Sequence, residues 1–260
     1  MRILFYFSLM LSFAISLTAQ TTNLWTDGGG GDPSWSNTAN WSLNNVPGSS
    51  TDVQIAVQPS AGLIGIDTGA TIIKSLTFNN TLTGSFSFEL ALGDTLQING
   101  AITNNSGFNQ SFNLPVNAGA SATWLGPLTY SNIVNVGTNT ITLSGGSAFA
   151  GSDLNFDITN VSTYGHFLGS GTATVTGVTI NIGGSYAGSS GDTFDFTTGN
   201  FSGATLGSLP TLSGGLAWNT SSFLSSGLLS VAAIPEPSAY AALFGTAVIG
   251  FGVWRRRRKA

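Results

Sequence analysis

From Ala70 to Ile182 apolar and polar residues alternate in short runs. Leu76-Thr-Phe78, Phe86-Ser-Phe88-Glu-Leu90, Leu96-Gln-Ile98, Phe112-Asn-Leu114, Ile141-Thr-Leu143, Leu154-Asn-Phe156-Asp-Ile158 and Val178-Thr-Ile180-Asn-Ile182 are the clearest. Each places its apolar side chains on one side of an extended chain. A period of two, built from β-branched and aromatic residues, predicts strands. Gly, Asn and Ser fill the gaps and supply the turns. No convincing helical pattern lies between the two ends of the chain.

Weak internal echoes suggest how the strands are arranged. Leu76-Thr-Phe78-Asn79-Asn80 returns as Leu96-Gln-Ile98-Asn99-Gly100. The stretch Gly145 to Ser152 returns from Gly183, at nearly twice that interval. Such an interval and its double suit stacked coils of about 20 residues each. The expected fold is therefore all-β, a β-solenoid of the parallel β-helix kind. Asn residues at turns could form ladders between coils. An antiparallel β-sandwich would also show short strands spaced by turns and is the alternative.

The first stretch, Asn23 to Val57, has a different texture. Trp25, Trp35 and Trp41 stand in Gly, Asn and Ser, with Asp27 and Asp32 flanking four glycines. Three indoles this close together read as a hydrophobic cap on the end of a β-stack. Exposed, they could instead stack on sugar rings. Asp27 and Asp32 are too few for a calcium shell without carbonyl help. At the other end, Phe194 to Val231 is rich in large apolar groups, as a terminal unit must be if it closes the last coil. The opening Trp…Trp…Asn-Trp…Pro-Gly segment resembles secreted bacterial proteins of autotransporter-type β-strand repeats. So does the closing series Gly191-Asp192-Thr193-Phe194, Leu209-Pro210-Thr211-Leu212, Leu216-Ala217-Trp218-Asn219-Thr220 and Gly227 to Val231.

Both termini carry addresses. Arg2, the apolar run Ile3 to Leu17 and Thr18-Ala19-Gln20 predict a secretory leader over 1–19, which implies the Sec translocon as a partner. At the far end Pro235-Glu236-Pro237 precedes an uncharged run, Ser238 to Trp254, then Arg255, Arg256, Arg257, Arg258 and Lys259. A run of about 17 residues reaches roughly 25 Å as a helix, a little short of a hydrocarbon core of about 30 Å. The expectation is a single weak transmembrane helix over 238–254, with the basic cluster stopping transfer and staying cytoplasmic. The prolines leave an extended segment ahead of it. Tripeptide, apolar run and basic end, in that order, resemble the PEP-CTERM sorting domain. That resemblance implies an exosortase-type membrane enzyme as a processing partner, a transient inner-membrane anchor, and delivery to the cell surface or an exopolysaccharide matrix.

The expected organisation is therefore a leader (1–19), a Trp-rich cap region (20–69), a strand-repeat domain (70–231) and a sorting tail (232–260). Charge narrows the function. Between leader and tail Lys74 is the one basic residue against ten acids, a net charge near −9 (1 − 10), whereas the whole chain carries −4. Such a surface repels phosphate backbones, which excludes nucleic acid. With no Cys and one His, neither a disulfide, a thiolate nor a zinc site is expected, and no cofactor or other metal is implied.

Catalytic signals are thin. No Gly-x-Ser-x-Gly elbow accompanies His166. Asp153 and Asp157 share a strand face and form the carboxylate pair to consider for glycoside hydrolysis. β-Helix polysaccharide lyases typically use Arg or Lys as base, and the exported part offers Lys74 alone. The function expected is a non-enzymatic exported structural protein of the bacterial surface or matrix. A carbohydrate-binding module or adhesin using Trp25, Trp35 and Trp41 is the alternative, and a glycoside hydrolase ranks third.

Overall fold

A computed structural model describes residues 21–90, 93–151, 153–169, 173–235 and 237–258. The leader expected over 1–19, Glu236 and Lys259 lie outside them. The chain winds into a parallel β-solenoid of about six turns. Each coil contributes one strand to each of three parallel sheets. The first full coil is Thr51–Ile55, Leu63–Ile66 and Ala70–Ile73; the next is Ser75–Phe78, Ser87–Leu90 and Thr95–Ile98. The first sheet runs from Thr21–Trp25 to His166–Gly169, the second from Leu63–Ile66 to Thr174–Thr176, and the third from Ala70–Ile73 to Ala204–Leu206. The expected boundary at 69/70 thus cuts through the first coil, which stacks directly on the cap.

The alternation builds this shape. Inward positions such as Ile64, Ile73, Leu76, Phe88 and Leu96 are fully buried, while their neighbours face outward and are half-exposed. Parallel stacking repeats each inward position on the next coil, so like sits on like. In the second sheet Phe88 pairs with Phe112, Phe112 with Tyr130, and Tyr130 with Phe149. Their rings stack at 5.2, 5.1 and 5.0 Å, and Phe167 extends the column at 5.3 Å. Each such pair is worth about 0.5–1.5 kcal/mol beyond its buried area.

Coil length varies. The sequence offset between stacked partners is 18 at Asn117 and Asn135 but 26 at Asn155 and Asn181. The two sequence echoes are not stacked partners. Leu76 pairs with Ile102 in the first sheet, whereas Leu96 lies in the third and pairs with Thr71. Ala148–Ala150 belongs to the second sheet and Val178–Gly184 to the third.

Both ends are closed. At the start, Trp25, Trp35 and Trp41 form an edge-to-face cluster at 5.1 and 4.6 Å. At the finish, Thr193–Asp195, Leu228–Ala233 and Leu216–Asn219 form a separate antiparallel sheet, with Leu228–Ala233 in the middle. Phe194, Phe196, Phe201 and Phe223 pack beneath it. Two single-turn helices, Thr38–Asn40 and Phe223–Ser226, interrupt the β-structure where none was expected.

The tail forms one helix, Pro237–Arg257. Among the described residues no helix is long and apolar enough to cross a membrane, so the spanning segment expected over 238–254 finds no support there. The uncharged part of the helix, at about 1.5 Å per residue, falls a little short of a hydrocarbon core of about 30 Å. Ser238, Tyr240, Thr246 and three glycines, 245, 250 and 252, also dilute its Leu, Val, Ile and Phe content.

Candidate functional site: a sorting tail on a capped solenoid

The aromatic candidates at the N-terminal end are interior. Trp25 and Trp35 have no exposed surface and Trp41 has 1 %. Asn40 and Asn23 explain why the loop folds onto them. The buried Asn40 amide donates to the Asp32 and Ser34 carbonyls and accepts from Gly29 N–H. Asn23 donates to the Asn45 carbonyl and accepts from Leu43 N–H. Trp41 Nε1 donates to the Trp35 carbonyl at 2.8 Å. The three indoles therefore present no face on which a sugar could stack.

The acidic residues here serve the loops. Asp32 accepts from the Ser34 N–H and Oγ–H and from Asn37 Nδ2. Those bonds, led by Ser34, hold its carboxyl below the usual carboxylate range. Asp27 sits at φ 57° and accepts the Ser60 N–H. Among the described residues no cluster of three or more His, Cys, Asp or Glu could hold a metal ion. Asp52 takes the Lys74 ammonium at 3.2 Å and the Ser75 hydroxyl, tying adjacent strands of the first sheet.

Asp153 and Asp157 face outward on the strand Asp153–Asn160, on the side expected. Four residues along a strand set them about 13 Å apart, at about 3.3 Å per residue, beyond the roughly 5–9.5 Å that glycosidase carboxylates need. They pair with Thr179 and Gly183 of the next coil. His166 meets Thr140 Oγ1 at 3.3 Å and the Tyr164 carbonyl at 3.4 Å, an environment without the carboxylate a triad requires. A cleft of about 350 Å³ near the C-terminal end is lined by Leu143, Phe149, Phe167, Val175, Thr198 and Phe201 among others, and none of its described lining residues titrates.

The asparagine ladder expected at turns runs instead along strands. On the outer face of the third sheet Asn135 donates to Asn117 Oδ1 at 2.6 Å, Asn155 to Asn135 at 2.6 Å, and Asn181 to Asn155 at 3.1 Å. Ser208 N–H closes the row on Asn181 Oδ1. These side chains project from strands, not from turns. The signal was available: Val116-Asn-Ala, Val134-Asn-Val, Leu154-Asn-Phe and Ile180-Asn-Ile each set one Asn between two inward apolar residues.

The chain leaves the body at the terminal sheet. Ile234 donates its N–H to the Gly215 carbonyl at 2.7 Å. Pro235 is exposed, and the helix opens at Pro237. Arg255, Arg257 and Arg258 are exposed at the far end, with the Arg258 guanidinium 4.1 Å above the Trp254 ring.

The comparisons address this tail. The family described as the PEP-CTERM protein-sorting motif matches residues 233–258. Neither the curated proteins nor the solved structures yield a significant match. The likeness of the body to autotransporter-type repeats finds no support among them.

Proposed function

We propose, from the PEP-CTERM protein-sorting motif matched over 233–258, that the chain is exported and sorted by an exosortase and serves as a non-enzymatic structural protein of the bacterial surface or extracellular matrix. The leader over 1–19 takes it through the Sec translocon. The exosortase-type membrane enzyme cuts near Pro235, Glu236 and Pro237, and the basic end from Arg255 to Lys259 leaves with the tail. The body then acts outside the cell in association with exopolysaccharide. The observation that carries this reading is the motif itself, placed straight after the last strand of a closed solenoid.

The test is to express the chain in its native host with and without the exosortase and weigh the product. Loss of the tail mass only when the enzyme is present is the expected result. A tail that stays intact in the native host defeats the proposal.

Glycan binding is the second reading, and the outer amide row favours it over the tryptophans. Asn117, Asn135 and Asn155 each keep a second N–H and a second lone pair that a neutral sugar hydroxyl could use. Binding on a glycan array that is lost in Asn135→Ala would support it; binding unchanged in that variant would remove the row from consideration.

A further inference from the structure

No slack separates the folded body from the sorting motif. Leu216 pairs with Ala233, Ala217 with Ala232 and Trp218 with Val231. The Ile234 N–H reaches the Gly215 carbonyl at 2.7 Å, and Pro235 follows at once. The antiparallel pattern then sends the backbone groups of Ala232 and Ile234 toward the strand Leu216–Asn219. A cutting enzyme takes its peptide as an extended segment and offers it the same kind of main-chain partners. The residues on the body side of the tripeptide already have theirs.

We propose that the body gates its own processing: the end of the strand Leu228–Ala233, with Ile234, must peel away from Gly215, Leu216 and Ala217 before the exosortase can engage the junction. The gate rests on the sorting reading above and adds to it a conformational step carried by this chain. Tail removal is thereby coupled to the state of the terminal sheet. A body in which that sheet is loose is cut fastest, and one in which it is fastened is cut slowly.

A cystine provides the test, because the chain has no Cys of its own. Leu216 and Ala233 face each other directly beside the hydrogen-bonded Gly215 and Ile234 pair, so they form a non-hydrogen-bonded pair. Such Cα atoms lie about 4.5 Å apart, within the roughly 4.4–6.8 Å a cystine spans. The full chain carrying Leu216→Cys and Ala233→Cys is followed in the exosortase-bearing host, with and without dithiothreitol, beside Leu216→Cys alone. A second variant inserts Gly-Ser-Gly-Ser between Ile234 and Pro235 in the natural chain.

The expected result is cutting at least about tenfold slower in the oxidised double variant, a factor equivalent to about 1.4 kcal/mol, with the rate restored by reductant. The insertion variant is cut faster than the natural chain. Equal rates for oxidised, reduced and inserted forms overturn the gate while leaving the sorting reading intact. A natural chain that is never cut overturns both.

Discussion

The Tyr130 ring stacks on Phe112 at 5.1 Å with the two planes 9° apart, deep within the solenoid. Its hydroxyl is buried and has no hydrogen-bond partner. Burial alone pushes its phenol well above the ordinary value of 10.0. Tyr130→Phe keeps the stack and removes the stranded hydroxyl. The expected change is a gain of stability of about 1 kcal/mol, since an unpaired buried hydroxyl costs about 1–3 kcal/mol. Denaturant unfolding checks it, and a clear loss would show that the hydroxyl has a partner.

The same phenol makes stability depend on alkali. The folded chain keeps the Tyr130 proton under conditions where the unfolded chain releases it. Its contribution is therefore complete below about pH 10 and is lost as the pH rises above that value. Melting temperatures between about pH 9 and pH 11 should fall more steeply for the natural chain than for Tyr130→Phe. Tyr186, raised by burial and by its bond to Asp192, leaves a residual slope in both.

The amide row should stabilise the stack. Asn155 makes one bond to each neighbour, so Asn155→Ala breaks both and strands two half-buried amides. A loss of about 1–3 kcal/mol is expected. Asn155→Asp keeps an acceptor for Asn181 but places a carboxylate between Asp153 and Asp157. That variant should be least stable at neutral pH and regain stability as the pH falls toward about 4. Thermal melts of both variants decide it; values within error of the natural chain would make the row incidental.

The cap tryptophans should behave as core. Trp41 is 1 % exposed, touches both other indoles and donates to the Trp35 carbonyl. Trp41→Ala is expected to cost about 3–5 kcal/mol. Trp41→Phe should cost less, because a ring remains while the Nε1 bond is lost. Urea titration measures both, and a cost for the alanine variant below about 1 kcal/mol would place Trp41 outside the fold's support.

Much of this architecture was legible. Alternation at Leu154-Asn-Phe156-Asp-Ile158 marks a strand with one buried side, and the absence of helical periodicity points to stacked coils. The register was not. Leu76-Thr-Phe78 resembles Leu96-Gln-Ile98 because any inward-outward-inward triplet does, yet the two stand on different sheets. Coils of unequal length, short at Asn117 to Asn135 and longer at Asn155 to Asn181, defeat a search at fixed spacing. The Phe88, Phe112, Tyr130 and Phe149 column has uneven intervals for that reason. The sorting motif was legible because it is linear: its tripeptide and basic end are read in order along the chain. The body's hold on Ile234 through Gly215 is a contact between distant positions and shows only once the terminal sheet is folded.

The two plugs, indoles at one tip and the antiparallel sheet at the other, give the rod two unlike ends. Unlike tips do not offer each other the matched parallel register by which the coils stack, which disfavours growth nose to tail. A scaffold made from many such rods would then bundle side against side, with its grain set by the outer faces of the coils.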